Sequence, residues 1–216
     1  ASYGQTLTPE NVDDQGGVIV VTGLAIAYAK EGVTAAGTID ELRFADQGDG
    51  TVKITLSDSY PLSVTVPPEE AGGDPTTISM QIDQPGLVIT AAGDDTETSY
   101  DFAGPSVAIS LTGIEGVETE AVDLTAVATL TNIAGKYIFA PDGEKRSLNA
   151  SFSADSLTVD VAGSDPDPTP STDGSASGPS SGKVKFTMAD ITGTTNGTLL
   201  DAAAMADMAA ALKAGL

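Results

Sequence analysis

Acidic side chains are the first candidates for chemistry in this chain. Asp13 and Asp14, Asp46 with Asp49, Asp94 and Asp95 with Glu97, and Asp165 with Asp167 each gather carboxylates within a few positions. Calcium takes such oxygens as ligands, so weak calcium binding is the chemistry these clusters could offer, with Asp46, Asp49, Asp94 and Asp95 as candidates. None follows the spacing of the calcium-binding helix–loop–helix motif, and no glycine–aspartate repeat accompanies them. Nearly all stand where turns are expected, and turns favour Asp because its side chain hydrogen-bonds the backbone just ahead. They read as solvated turn residues, so no metal or cofactor is assigned. Paired carboxylates can also hydrolyse glycosidic bonds. With 31 acidic residues, suitable pairs arise by chance, and nothing singles one out.

What is missing narrows the chemistry further. The chain has no histidine, which removes the usual general base, the Ser-His-Asp triad and histidine metal sites. It has no cysteine, so disulfides, thiol nucleophiles and cysteine-based zinc sites are excluded. Without tryptophan, a sugar would find few large faces to stack on. No catalytic residue is assigned, and the chain is not expected to be an enzyme.

Nine basic residues against 31 acidic ones give a net charge of −22. Nucleic acid and anionic membrane surfaces are bound by Lys/Arg clusters, so neither is an expected partner. No apolar run is long enough for a transmembrane helix. Little lysine, abundant Thr, Ser and Asp, and no cysteine fit an extracytoplasmic protein, either periplasmic or at the cell surface.

The elements that must position any site are strands. "TVKITLSDS" puts Val52, Ile54 and Leu56 on one face, "YPLSVTVP" does so with Leu62, Val64 and Val66, and "TISMQID" with Ile78, Met80 and Ile82. Val107, Ile109 and Leu111, then Leu157, Val159 and Val161, continue the pattern. Period-two alternation marks strands with one buried face. Only 5% of residues are aromatic, so the core is built mainly from Val, Ile, Leu and Ala. "GVIVVTGLAIAYAK" is apolar throughout and is expected deeper in the sheet. Asp49-Gly50 and Asp142-Gly143 are hairpin signals. Pro85-Gly86, Gly104-Pro105 and Asn196-Gly197 read as further turns. Asn149 and Asn196 also fit the glycosylation acceptor pattern, a common chance match.

The expected fold is mainly β: an antiparallel meander (a curved sheet, half-barrel or sandwich) with a C-terminal amphipathic helix. Residues 1–216 are read as a single domain. "AGSDPDPTPSTDGSASGPSSGK" interrupts it at 162–183, and the sequence after that holds about one strand and a helix. One strand cannot form its own core. The stretch at 164–182 is therefore expected to be a mobile loop between neighbouring strands. At about 200–214, Ala, Leu and Met favour a helix. Met205, Met208, Leu212 and Leu216 make its apolar stripe, expected to dock on the sheet.

Several strings resemble the DUF2125 family, a domain of unknown function in alphaproteobacteria, notably marine roseobacter-type lineages. They are "ASYGQTLT", "TIDELRFADQGDGTVKITLSDSYPLSV" and "QPGLVITAAGDDTETSYDFAGPSVAISL", with the likeness running through "SFSADSLTVDVAG" to "AMADMAAALKAG". The resemblance implies a periplasmic protein that carries a signal peptide, and a natural chain longer than this one. It brings no activity and no functional residues. Two functions are left as expectations. One is a structural or interaction protein that acts through its sheet, by pairing strand edges with another protein or with itself. The other is a module that binds an apolar ligand such as lipid, with the terminal helix as its lid. A fully packed core would favour the first, and a continuous groove lined by Val, Ile and Leu the second.

Overall fold

The computed structural model describes residues 5–68, 73–94, 96–116, 123–142, 145–165 and 180–199. They form one antiparallel sheet of twelve strands. In chain order these are β1 (Gln5–Thr8), β2 (Asn11–Asp14), β3 (Val18–Lys30), β4 (Val33–Asp46), β5 (Thr51–Leu56) and β6 (Ser59–Val66). Then come β7 (Thr76–Asp83), β8 (Val88–Gly93), β9 (Thr98–Glu115), β10 (Asp123–Asp142), β11 (Lys145–Asp165) and β12 (Ser180–Leu199). The mainly β, antiparallel fold is the expected one. The expected helix, with Met205, Met208, Leu212 and Leu216, lies outside the described residues, as do Asp95 and Asp167.

The registers join short strands into long rungs. β1 and β2 lie end to end along β3, with Gln5 opposite Tyr28 and Asn11 opposite Thr22. β5 and β6 run on along β4, and β7 and β8 run on along β9. The result is an up-and-down meander of nine rungs, from β1/β2 at one side to β12 at the other. All substantial contacts between elements join hydrogen-bonded neighbours.

The hairpins show the local causes. Between β4 and β5, Gly48 and Gly50 take left-handed φ of 76° and 87°, and the Gln47 amide donates to the Thr51 carbonyl at 3.0 Å. Asp142 lies opposite Lys145, the last pair described between β10 and β11. Glu31 and Gly32 join β3 to β4 with both φ positive, at 54° and 84°. That is the twist a two-residue hairpin needs.

Four expectations are corrected. Asn196 and Gly197 do not turn: they sit inside β12 opposite Asn149 and Leu148, where a glycine with ordinary extended backbone simply continues the ladder. Gly104 and Pro105 lie inside β9, at an irregularity where a missing amide costs little. The apolar segment of β3 is the second rung from one side, not a deep one, and Ile19 is exposed. The loop expected at 164–182 is cut at both ends, because β11 and β12 pair out to Asp165 opposite Ser180. Ser and Gly there need no burial to keep the backbone ladder.

A crease crosses the whole sheet. It passes through Pro9 and Glu10 between β1 and β2, Gly23 in β3, Ser57 and Asp58 between β5 and β6, and residues 84–87 between β7 and β8. It continues through Pro105, Asn132, Asp155 and Asp190, which the registers of β9 to β12 bring level with one another. Gly23, Asn132 and Asp190 take left-handed φ of 59°, 47° and 54°. Pro85-Gly86 is a turn that does not reverse the chain, since β7 and β8 keep to the same neighbour. Side chains take over where ladder bonds lapse. The Ser57 hydroxyl accepts the Glu41 amide at 2.8 Å, the Asp58 carboxylate accepts the Gly86 amide at 3.2 Å, and Asn132 Nδ2 donates to Asp155 Oδ2 at 2.6 Å. Among the described residues the buried ones are Val20, Ile39, Ile82, Gln84, Ile133 and Ala154, each within three positions of this crease. The core lies along the crease.

Candidate functional site

Antiparallel partners share a face, so the registers assemble the alternating strands into rows. On one side of the crease a row runs Tyr60, Ile82, Ile109, Ala128, Val159, Phe186 across six rungs. Beside it run Val107, Leu130, Leu157 and Met188. On the other side of the crease a second row runs Ile19, Phe44, Ile54, Ile89, Phe102, Gly135, Phe152, Gly193. Nothing polar interrupts either row.

The aromatic residues, few as they are, gather here. Phe102 stacks on Tyr137 at a centroid distance of 5.8 Å and on Phe152 at 6.4 Å, and Tyr100 meets Phe139 edge-on at 6.4 Å. Gly135 makes room for this, because a Cβ there would fall on the Phe102 ring and within 2.7 Å of the Ser151 carbonyl oxygen. Burial pushes the Tyr60 phenol above its usual 10.0.

These rows are only half covered. No large side chain among the described residues is fully buried. In the first row Ile82 is buried, while Ile109 keeps 43% of its surface and Phe186 51%; in the second, Ile19 keeps 47%. The sheet therefore offers a continuous apolar surface and not a sealed core. An open concavity of about 520 Å³ where β10, β11 and β12 end is lined by small residues such as Gly163, Ser164, Ser181 and Gly182, together with Lys183.

The carboxylates predicted from sequence serve their own turns. Asp46 Oδ1 accepts the Gly48 amide at 2.8 Å, and Asp49 Oδ1 accepts the Thr51 hydroxyl at 2.7 Å and its amide at 3.0 Å. Asp94 Oδ1 accepts the Thr96 hydroxyl and amide at 2.5 and 2.7 Å, and the Glu97 amide at 3.1 Å. The threonine hydroxyls, then the amides, hold the Asp49 and Asp94 carboxyls below the usual aspartate value. Asp13 and Asp14 cap the next turn, accepting from Gln15 Nε2 and the Gly16 amide. Among the described residues, no group of three or more acidic side chains converges as a metal cage would.

Reading strands one at a time missed the crease and the Glu31-Gly32 hairpin. A signal for the crease was present. The apolar set changes parity by a step of three at the level of the crease in five rungs: Val21 to Leu24, Ile39 to Leu42, Leu130 to Ile133, Ala154 to Leu157, Met188 to Ile191. No family model, curated protein or solved structure matches the chain.

Proposed function

We propose that this is a non-enzymatic, extracytoplasmic binding module that holds an apolar ligand, of which lipid is the class, against the open face of its sheet. The observation that carries the reading is the pair of uninterrupted apolar rows left partly exposed, with Ile19, Ile109 and Phe186 the most open. An apolar surface that spans so many rungs marks a binding site more often than an idle surface. A neutral apolar guest also suits a chain of net charge −22. The stripe of Met205, Met208, Leu212 and Leu216 is the part of the chain proposed to close over the guest. The extracytoplasmic setting rests on composition and on the family resemblance.

Native mass spectrometry after gentle purification, with titration of a fluorescent fatty-acid probe, tests the proposal. Bound lipid and saturable probe binding are expected. Ile109→Asp should weaken probe binding about tenfold, or about 1.4 kcal/mol, by placing a charge in the apolar row. Absence of both lipid and saturable binding would overturn the reading.

A second reading has its own observation. The edge strand β12 exposes the apolar side chains Val184, Phe186 and Met188. It supports a protein that works by pairing its strand edge with another chain or with itself.

A further inference from the structure

The free edge of β12 is the surface with the most specific partner. Among the described residues β12 pairs on one side only, with β11. Its apolar side chains Val184, Phe186 and Met188 keep 68%, 51% and 44% of their surface. Natural sheets usually blunt such an edge with charge, proline or a bulge. Here proline is absent from β12, the irregularity at Asp190 lies beyond the apolar stretch, and both lysines lie close to Asp160 on the strand's own neighbour. Lys185 Nζ lies 3.2 Å from Asp160 Oδ2, and Lys183 Nζ lies 3.9 Å from Asp160 Oδ1. In a chain of charge −22, this strand carries two bases and one acid, so local repulsion does not forbid approach.

Symmetry limits how a second copy could add. Continuing the antiparallel pattern while keeping apolar rows on one side requires a two-fold axis normal to the sheet, which pairs β12 with itself. The register is then decided by side chains. Aligning the two creases would set Asp190 against Asp190 and Phe186 against Thr194. A register with Val184 opposite Phe186 would set Lys185 against Lys185. Centring the axis on Phe186 sets Phe186 against Phe186 and Val184 against Met188. It also places Lys185 opposite Thr187 and Lys183 opposite Ala189. Of these registers, it alone matches apolar with apolar and keeps like charges from standing directly opposite.

We infer that β12 is an isologous dimerisation edge, joining two copies of this chain antiparallel about Phe186. The row from Tyr60 to Phe186 then runs on into the second copy. The inference rests on the strand-edge reading and is independent of the apolar-ligand reading.

Sedimentation analysis of the whole chain and four variants tests it, with circular dichroism to verify the fold. The wild type is expected to dimerise at or below about 100 µM. Phe186→Lys sets two lysines face to face and should weaken the dimer about tenfold or more. Val184→Lys and Met188→Glu should each weaken it. The double variant, in which each introduced lysine faces an introduced glutamate of the other copy, should recover about tenfold over either single. A cysteine-free chain adds a second measurement that does not depend on charge. Phe186→Cys should oxidise readily to a disulfide dimer, and Thr194→Cys should not. A wild type that stays monomeric would overturn both this inference and the self-pairing form of the strand-edge reading. A dimer that ignores Phe186→Lys and shows no charge recovery would overturn the inference alone.

Discussion

Asn132 shows what single residues contribute to this sheet. Its φ of 47° is a conformation that Asn tolerates and β-branched residues do not, and its amide donates to Asp155 at 2.6 Å. Asn132→Gly keeps the left-handed backbone and loses the hydrogen bond, so it should cost about 1 kcal/mol. Asn132→Val loses both, and should cost about 2–4 kcal/mol. Urea denaturation at neutral pH measures the difference. Equal effects would mean that the crease does not depend on the left-handed residue. The local readings that succeeded have the same short range. Asp49-Gly50 marked a hairpin because Asp and Gly satisfy a turn within four residues. Asn196-Gly197 offered the same dipeptide signal and was overruled, because the ladder with Asn149 and Leu148 supplies partners that a turn would have had to forgo.

At the level of elements, the alternating patterns announced strands reliably, and the long rungs could not be read from them. β5 and β6, or β7 and β8, look like pairs joined by turns, since Ser57-Asp58 and Pro85-Gly86 are turn sequences. The structure keeps each pair collinear because the neighbouring rung is continuous and its backbone groups need partners along their whole length. The Pro/Ser/Gly-rich segment gives a test at this scale. Asp165 and Ser180 are paired residues, so their Cα atoms lie within about 6 Å, a gap that a two-residue turn spans. Replacing 166–179 by Asn-Gly should change the thermal midpoint by less than about 3 °C in a calorimetric scan. Loss of the folded state would show that the segment packs, and would end the reading of it as an excursion from one sheet.

For the whole molecule, the charge of −22 and the neighbour-only contacts act together. With the core confined to the crease, little buried area opposes the self-repulsion of the surface. Salt screens that repulsion over a Debye length of about 8 Å at 0.15 M. The thermal midpoint should therefore rise steadily with sodium chloride, and calcium at equal ionic strength should add little. A large rise specific to calcium would show that Asp46, Asp49 and Asp94 do more than cap their turns.

That the chain is built of antiparallel strands, carries no thiol or imidazole and is strongly acidic was legible before any fold was known. Each follows from composition or from a pattern complete within one strand. Which apolar residues stand in line, that the rows remain partly open and that the buried residues follow the crease emerge only once the strands are in register. Alternation tells a side chain which face of its own strand it occupies. The step of three at Val21 to Leu24 or Leu130 to Ile133 looks like noise in either strand alone. It becomes a line only when register brings Gly23 level with Asp40, and Asn132 level with Pro105, Asp155 and Asp190. Register is set by hydrogen bonds between residues far apart in the chain, and no single strand carries that information.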